Sequence, residues 1–289
     1  MLRGSRCAPK HRATMEKNCM SSPTIQELYD LTGKVALITG AARNLGRDMA
    51  SALAEAGADV AIADINIDGA KSTAAELASE TGRTIRAYGL DVTKEDEVAG
   101  VVKAVLADFG KIDILVNNAG NVVGQPDLAS LEERPLDGWL VTMNVNLNGV
   151  FLMCKHVLAK AMIPAKSGSI INLGSVSGMV GRDRSVYEEC EMIPTSPDYG
   201  IAKAGVIQMT RDLAASHAKY NIRVNCISPG GIERGQPEPF IRAYSKQTPM
   251  GRMGEGGIDL KGPVVFLASE ASRYCTGVNL PVDGGFTAW

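Results

Sequence analysis

The sequence predicts an α/β fold, in which a seven-stranded, doubly wound parallel sheet carries helices on both faces. Three observations lead to this prediction. From Lys34 onwards, short apolar runs alternate with segments of helical spacing. The runs are almost continuously apolar, which is typical of parallel strands covered on both faces. The chain of 289 residues can bury one large core, and no repeat or linker divides it.

The predicted elements follow one another in regular order. The strands are KVALIT, DVAIAD, IRAYGLDV, IDILVNNAG, GSIINLGS, IRVNCISPG and NLPVDG. The first helix, GRDMASALAEAG, spaces Met49, Leu53 and Ala56 along one face and stops at Gly57. The later helices are GAKSTAAELASETG, EDEVAGVVKAVLADFG, LVTMNVNLNGVFLMCKHVLAKAM, a segment that begins near Tyr199, and GPVVFLASEAS. This alternation predicts a parallel sheet within a single domain.

Residues 31–289 form that domain in this prediction, and residues 1–30 form an irregular N-terminal extension. The first 20 residues are basic but lack the apolar core of a secretory signal, whereas a transit peptide and a start at Met15 or Met20 remain open. The segments 121–138 and 232–258 are rich in Gly, Pro and charge. They are predicted to be loops or loosely helical, and the second could cover a site.

Composition and charge exclude several classes of function. The net charge of −2 gives no basic field that would attract nucleic acid or a membrane surface. No run reaches the roughly 18 to 20 apolar residues of a membrane-spanning helix. The six cysteines are scattered and the three histidines lie far apart, so we expect neither a metal site nor a disulfide framework. This cysteine usage fits a reducing, cytoplasmic environment.

The turn after the first strand has the composition of a phosphate-binding loop. In TGAARNLGR, Gly40 and Gly46 let backbone N–H groups approach a pyrophosphate at the start of a helix. Asp64 ends the second strand, where a carboxylate can accept hydrogen bonds from ribose hydroxyls and would repel a 2′-phosphate. Arg43 could instead attract that phosphate. We weigh Asp64 more heavily, so NAD is predicted and NADP is the less favoured alternative.

Tyr199 and Lys203 are four residues apart, so a helix places them on one face. Removing the hydroxyl proton of an alcohol requires a base, and free tyrosine, with a pKa of about 10, is a poor base near neutrality. A neighbouring ammonium favours the phenolate, and a lysine has further donors for a ribose hydroxyl. Tyr187 has Glu191 at the same offset, which would disfavour the phenolate. Tyr199 is therefore the predicted acid/base.

Five motifs in order resemble those of the short-chain dehydrogenase/reductase family, in its conventional, non-extended type. They are the Gly-rich turn 39–46, LDV at 90–92, NNAG at 117–120, Tyr-x-x-x-Lys at 199–203 and SPGGI at 228–232. Asn44 replaces the middle glycine of the family's turn, and asparagine is the side chain that best tolerates the left-handed region. The resemblance covers residues 31–289 and implies a Rossmann-like dinucleotide-binding catalytic domain.

The resemblance also implies functional residues. The expected cofactor-binding residues are Gly40, Arg43, Asn44, Leu45, Gly46, Asp64, Ile65, Asp91, Val92, Asn118, Ala119, Gly120, Tyr199, Lys203, Pro229, Gly230 and Ile232. Ser175 matches the serine that hydrogen-bonds the substrate oxygen, and Ser177 is the competing candidate. Asn146 matches an asparagine of the proton relay, with Asn144 and Asn148 as alternatives. A homotetramer or homodimer is expected from the family.

Tyr199 follows Ser175 by 24 residues, about twice the family's usual spacing, so YEECEMIPTSP amounts to an insertion of about 11 residues. The insertion is either a wall for a polar substrate, with Glu188, Glu189 and Glu191 accepting hydrogen bonds from hydroxyls, or a solvated surface loop. Together with VDGGFTAW at the end, it is similar to family members that act on sugars, sugar acids and polyols.

The predicted function is therefore an NAD-dependent oxidoreductase that interconverts a secondary alcohol and a ketone of a polyhydroxylated small molecule. An NADP-dependent reductase of 3-oxoacyl thioesters is the rival enzyme. A non-catalytic dinucleotide-binding regulator is the rival from another class.

Overall fold

The computed structural model of the protein describes residues 22–120, 130–188, 190, 192 and 194–289. Most of the predicted N-terminal extension, and the hydrogen-bonding roles suggested for Glu189 and Glu191, lie outside the described residues. The same holds for the side chain of Glu188. In the described part of the chain, no helix is long and apolar enough to cross a membrane.

The central sheet has the predicted seven parallel strands, in the order β3-β2-β1-β4-β5-β6-β9. They are β1 (Val35–Thr39), β2 (Asp59–Asp64), β3 (Ile85–Gly89), β4 (Ile114–Asn117), β5 (Gly168–Leu173), β6 (Ile222–Pro229) and β9 (Asn279–Val282). Two short strands, β7 (Ile232–Glu233) and β8 (Gly254–Glu255), pair separately. The strand order reverses between β1 and β4, and such switch points open a crevice at the carboxyl edge of a sheet.

The helices cover both faces of the sheet, as predicted. They are α1 (Ile25–Tyr29), α2 (Asn44–Glu55), α3 (Ile67–Thr81), α4 (Glu95–Phe109), α5 (Leu136–Met143), α6 (Gly149–Val157), α7 (Ile163–Ala165), α8 (Ser185–Glu188), α9 (Pro197–His217), α10 (Glu238–Lys246) and α11 (Lys261–Ala268). Buried side chains of α4, α6 and α9 pack on one face of the sheet. Those of α2, α3 and α11 pack on the other.

Two elements differ from the prediction. The extension is not irregular throughout, because Ile25–Tyr29 are helical and Thr24 and Glu27 form a capping box. The segment 232–258, expected to be a loop or loosely helical, contains β7, β8 and the regular helix α10, which buries Phe240 and Tyr244. In both cases short-range capping or burial of a few apolar side chains outweighs a polar, Gly- and Pro-rich composition.

The predicted long helix is continuous but begins earlier and changes its winding. It starts at Leu136 rather than Leu140, directly after Pro135, and runs to Ala165. Two π-helical turns, Asn144–Asn148 and Leu158–Met162, join α5 to α6 and α6 to α7. Single π turns inside helices often lie at functional sites.

Candidate active site

A cleft of about 520 Å³ lies at the carboxyl edge of the sheet, above the ends of β1, β2, β4, β5 and β6. Most of the predicted site residues meet there. The predicted residues that line it are Gly40, Arg43, Asn44, Leu45, Gly46, Asp64, Ile65, Asp91, Val92, Asn118, Ala119, Gly120, Ser175, Tyr199, Lys203, Pro229 and Gly230. The cleft is therefore a single site for residues that are up to 190 positions apart (Gly40 to Gly230) in the chain.

The turn between β1 and α2 has the backbone that the sequence predicts. Gly40 has a φ of +67°, and Asn44 adopts the left-handed region with a φ of +53°. A Cβ on Gly46 would collide with the carbonyl oxygen of Gly40 and lie 2.7 Å from the Cα of Ala41. Only glycine fits at 46, since the helix start and the turn touch there. The first residues of α2, Asn44 to Gly46, line the cleft, and the first N–H groups of a helix have no partner within it.

Asn118 ties the turn to the fourth strand. Its Nδ2 donates to the carbonyl oxygens of Thr39, at 2.9 Å, and Gly40, at 2.8 Å. The hydroxyl of Thr39 in turn accepts from the backbone N–H groups of Asn118 and Ala119, at 3.2 and 3.0 Å. These bonds join the ends of β1 and β4 on the two sides of the switch point, which holds the floor of the cleft rigid.

The carboxylate of Asp64 is fixed at one end of the cleft. Its Oδ2 accepts from the N–H of Ala42, at 3.0 Å, and its Oδ1 from the N–H of Asn66, at 2.9 Å. Two donors from the backbone hold the group in one orientation at the end of β2. The geometry suits an acceptor for vicinal hydroxyls of a ribose.

Tyr199 and Lys203 lie on one face of α9, as their spacing predicts. The ammonium of Lys203 is 5.7 Å from the centre of the Tyr199 ring. Its Nζ donates to the carbonyl oxygen of Leu173, at 2.8 Å, so the last residue of β5 anchors the side chain, which is only 3% exposed. The lysine keeps further donors that can serve a ligand in the cleft.

Ser175 and Ser177, the two candidate serines, face different spaces. Ser175 lines the cleft, and its Oγ accepts from the N–H of Ser177, at 3.1 Å. Ser177 lines a neighbouring cleft instead. At Gly174, where the family's pattern has a first serine, a Cβ would lie 2.5 Å from the Oγ of Ser228 and 2.8 Å from the Sγ of Cys226. This crowding accounts for glycine at that position.

Asn146 sits in the first π turn and is fully buried behind the cleft. Its Nδ2 donates to the carbonyl oxygen of Thr142, at 3.0 Å. A Cβ on Gly120 would lie 3.0 Å from its Oδ1 and 3.6 Å from the Nζ of Lys203. The amide oxygen and the ammonium thus flank the same glycine, whereas Asn144 and Asn148 hydrogen-bond each other on the exposed side.

One predicted cofactor residue, Ile232, does not line the cleft. It pairs with Gly254 in the small sheet, and its side chain is 5% exposed. Leu90, part of the LDV motif, also lines the cleft. The sequence analysis missed four further lining residues, Val145, Leu173, Gly174 and Arg234. Val145, Leu173 and Gly174 lie within two residues of a predicted site residue, so their position in the chain could have indicated them. Arg234 gives no signal, because it lies in a loop whose path only the structure shows.

A buried ion pair next to Tyr199 was also missed. The Nε and Nη2 of Arg134 donate to the Oδ2 of Asp198, at 3.1 and 2.8 Å, and both side chains are at most 2% exposed. Burial alone would raise the pKa of the Asp198 carboxyl, but hydrogen bonds from Ser196 and Arg134 outweigh it and lower that pKa below its usual range. The pair fixes the first turn of α9 against α5.

Where its residues are described, the insertion packs on the fold, because Tyr187 is buried and Cys190 and Met192 are partly buried in one apolar cluster. Val186 and Tyr187 are buried against α10 and Met253. Tyr187, Phe240, Tyr244 and Phe286 form an aromatic cluster, with successive ring centres 5.2, 6.0 and 5.0 Å apart. The hydroxyl of Tyr244 accepts from the N–H of Gly231, beside the cleft. Tyr187 is thus a packing residue.

No group of three or more His, Cys, Asp or Glu side chains that could hold a metal ion occurs in the residues that the structure describes. The polar groups of the cleft are instead a Gly-rich turn that could hold a pyrophosphate, a carboxylate that could accept from ribose hydroxyls, and a phenol beside an ammonium and a hydroxyl. This set suits hydride exchange with a bound dinucleotide.

Comparisons with known proteins agree with this geometry. The family model described as Enoyl-(Acyl carrier protein) reductase matches residues 40–287. The D-threitol dehydrogenase of Mycolicibacterium smegmatis is 38% identical over 264 residues, which cover 90% of this chain and 95% of that protein. A 3-oxoacyl-(acyl-carrier-protein) reductase of Chlamydia muridarum is 36% identical over 259 residues, covering 88% and 98%.

A solved structure of similar shape is the gluconate 5-dehydrogenase of Burkholderia cenocepacia in complex with NADP and tartrate. It superposes with a TM-score of 0.81 at 35% identity and covers 91% of this chain and 99% of that one. Sequence, fold and site therefore agree: the chain belongs to the short-chain dehydrogenase/reductase family and is an NAD(P)-dependent oxidoreductase acting on CH–OH groups.

Proposed function

We propose that the protein is an NAD-dependent dehydrogenase that interconverts a secondary alcohol and a ketone of a polyhydroxylated small molecule. The observation that carries the choice of cofactor is the carboxylate of Asp64, which two backbone N–H groups hold at the ribose end of the cleft. A fixed negative charge there accepts hydrogen bonds from two ribose hydroxyls and repels a 2′-phosphate.

The residues of the cleft divide the remaining work. The turn at Gly40 and Gly46 would hold the pyrophosphate, and Lys203 a ribose hydroxyl. The nicotinamide, when bound, supplies the acceptor or donor of hydride. Ser175 orients the substrate oxygen, Tyr199 exchanges the proton of that oxygen, and the ammonium of Lys203 stabilises the phenolate that results. Asn146, buried next to Gly120 and Lys203, supports the proton path behind the phenol.

A second candidate, an NADP-dependent reductase of 3-oxoacyl thioesters, is favoured by Arg43. This exposed arginine lines the same end of the cleft and could pair with a 2′-phosphate. The Chlamydia relative is named for the reduction of a 3-oxoacyl thioester, and the Burkholderia structure holds NADP. A non-catalytic regulator is disfavoured because Ser175, Tyr199 and Lys203 all meet at the cleft.

The cofactor test compares NADH and NADPH in direct binding to wild type and to Asp64→Ser. We expect wild type to bind NADH at least tenfold more tightly than NADPH. Asp64→Ser should weaken NADH binding and reduce the ratio between the two affinities. Asp68→Ser is the control, because Asp68 is an exposed carboxylate on the next helix, paired with Lys71. Tighter binding of NADPH by wild type would contradict the proposal and favour the thioester reductase.

The substrate test is a steady-state screen of polyols, sugar acids and 3-oxoacyl thioesters with both nucleotides. We expect turnover with a polyhydroxylated compound and none with the thioesters. Turnover with the thioesters alone would replace the proposed function by the second candidate.

A further inference from the structure

A second cleft, of about 400 Å³, adjoins the nucleotide cleft at Tyr199. It lies between the segment Ser177–Arg184, the end of the insertion and the first turns of α9. Tyr199 lines both clefts, and it is the group that meets the substrate oxygen in the proposed function. A substrate whose reacting carbon is held at Tyr199 can therefore extend its far end into the second cleft.

Arg182 brings a positive charge into this second cleft, and the described part of the chain places no carboxylate in an ion pair with it. Its guanidinium donates to the Oγ1 of Thr195 and lies 4.9 Å from the centre of the Tyr187 ring. Among the described residues, no Asp or Glu oxygen lies within 4.0 Å of it, and its electrostatic neighbours are Tyr244, Tyr199 and Arg184. Burial lowers the pKa of Arg182 below its usual range.

Three other shielded arginines have partners that satisfy several of their donors. Arg223 donates to the Oγ of Ser272 and to the carbonyl oxygens of Leu267 and Ser269, and two arginines are paired with carboxylates. Arg134 meets Asp198 at 2.8 Å and Arg83 meets Asp59 at 2.9 Å. A part-buried guanidinium without a counter-charge is unfavourable, since desolvation is not offset. Its planar fork matches a carboxylate in a bidentate pair. Arg182 is thus equipped for an anion from outside the chain.

The surroundings hold Arg182 in place. The ring of Tyr187 beneath it belongs to the aromatic cluster on α10, and the next residue, Asp183, accepts from the Nε2 of Gln247 at 2.7 Å. The segment that carries the arginine is therefore fixed to the covering helix at two points. A second arginine, Arg234, lines the nucleotide cleft and also acts electrostatically on Tyr199.

We propose that Arg182 binds a carboxylate of the substrate, so that the preferred substrate is a polyhydroxy carboxylate rather than a neutral polyol. This inference rests on the proposed function and narrows its substrate class. The hydroxyl that reacts lies at Tyr199, and the carboxylate lies in the second cleft against the guanidinium.

The experiment compares three acid and polyol pairs of equal chain length: D-gluconate with sorbitol, D-xylonate with xylitol, and D-threonate with D-threitol. We expect kcat/KM to favour at least one acid over its polyol by tenfold or more. In Arg182→Gln, KM for that acid should rise about 10- to 100-fold, the range for losing a charged hydrogen bond, while the polyol changes less than twofold. The KM of Arg182→Lys for the acid should lie between those of wild type and Arg182→Gln.

Arg211→Gln is the matched control, because Arg211 is an exposed arginine on the outer face of α9 that donates to Gln208. Arg211→Gln should leave KM and kcat/KM unchanged for both the acid and the polyol. The carboxylate site is overturned if every polyol has a kcat/KM equal to or above that of its acid. It is also overturned if Arg182→Gln lowers kcat/KM equally for acid and polyol. Neither result contradicts the proposed dehydrogenase activity.

Calorimetric binding of the same acids to the protein–NADH complex separates the two proposals if no compound turns over. Binding that weakens in Arg182→Gln and is kept in Arg211→Gln supports the anion site even if the proposed activity fails. Binding that is absent in wild type, or unchanged in Arg182→Gln, overturns it.

Discussion

At the scale of single residues, the proposed chemistry depends on the phenol of Tyr199 and the ammonium of Lys203 beside it. Lys203 cannot swing away freely, because the carbonyl of Leu173 accepts one of its hydrogens and the side chain is buried. The ammonium beside Tyr199 is therefore held in position by the end of β5, although a lysine side chain is flexible. Such fixed charges are the usual means by which proteins stabilise an ionised group.

Tyr199→Phe should lower kcat by at least 100-fold, the lower range for losing a general acid/base, and leave NADH binding within about twofold. Stopped-flow turnover and fluorescence titration of NADH measure the two effects. Tyr187→Phe is the control, since Tyr187 packs in the aromatic cluster and its ring is kept. Loss of turnover in the control with full activity in Tyr199→Phe would reverse the assignment.

Asn44 carries a second prediction at this scale, because its backbone has a φ of +53°. Asn44→Gly should keep both the thermal midpoint and NADH affinity. Asn44→Val should cost about 1–2 kcal/mol, since a β-branched side chain is strained in the left-handed region. Thermal unfolding with and without NADH measures this. Equal behaviour of the two variants would mean that the turn tolerates any side chain.

The residue scale also shows what sequence reasoning can and cannot find. The glycines and Asn44 follow from backbone conformations that few residues adopt, and Tyr199 and Lys203 follow from helical spacing. Arg182 and Arg234 have no such pattern, because their role depends on where loops cross in space. The partnership of Arg134 and Asp198 spans 64 positions and is equally hidden.

At the scale of elements, the buried pair of Arg134 and Asp198 holds the start of α9, and hence Tyr199, against α5. Arg134→Met leaves an uncompensated buried carboxylate and should cost about 3–5 kcal/mol of unfolding free energy. Urea unfolding at pH 7 measures the loss. Lys71→Met, which removes an exposed pair with Asp68, should change stability by less than about 1 kcal/mol. Equal losses would show that burial of the pair is irrelevant.

The same pair has a pH dependence of known sign. The pKa of Asp198 in the folded protein lies below its usual 3.8, so its contribution to stability is complete above that pH and is lost as the pH falls through the lower, folded value. Wild type should therefore lose more stability between pH 5 and pH 3 than Asp198→Asn does. If wild type and Asp198→Asn lost the same unfolding free energy between pH 5 and pH 3, the ionised Asp198 would not be the cause of the loss.

Elements differ in how well the sequence specifies them. The seven strands could be predicted because each is a short, nearly continuous apolar run that ends at a turn, a pattern that is visible in the sequence alone. The start of α5 could not, since Asp137 and Gly138 suggest a turn, whereas the extended Pro135 directly precedes a helix. The π turn at Asn146 has no period of its own and appears only in the three-dimensional structure.

At the scale of the whole molecule, several large apolar side chains stay exposed on the helices flanking the site. Leu140 and Val141 on α5 and Phe151 on α6 are 44%, 46% and 50% exposed. Large exposed apolar side chains of this kind occur at protein–protein contacts. We therefore expect the dimer or tetramer that the family suggests to use these helices.

Light scattering after gel filtration tests this expectation. Wild type should elute as a dimer or tetramer, and Phe151→Glu should shift it towards the monomer. Ile65→Glu is the control, because Ile65 is 75% exposed but lies at the nucleotide cleft. A monomeric wild type, or an assembly that Phe151→Glu leaves intact, would rule these helices out as the contact.

The packing of the insertion on α10 has a consequence for protein engineering. Tyr187 and Phe240 bury each other, so a chimera that imported only one of the two segments from a relative would expose a large ring to water. That exposure costs about 1.5–3 kcal/mol per side chain. Chimeras that aim to change substrate selectivity should therefore replace residues 182–197 and 238–247 together, from the same relative.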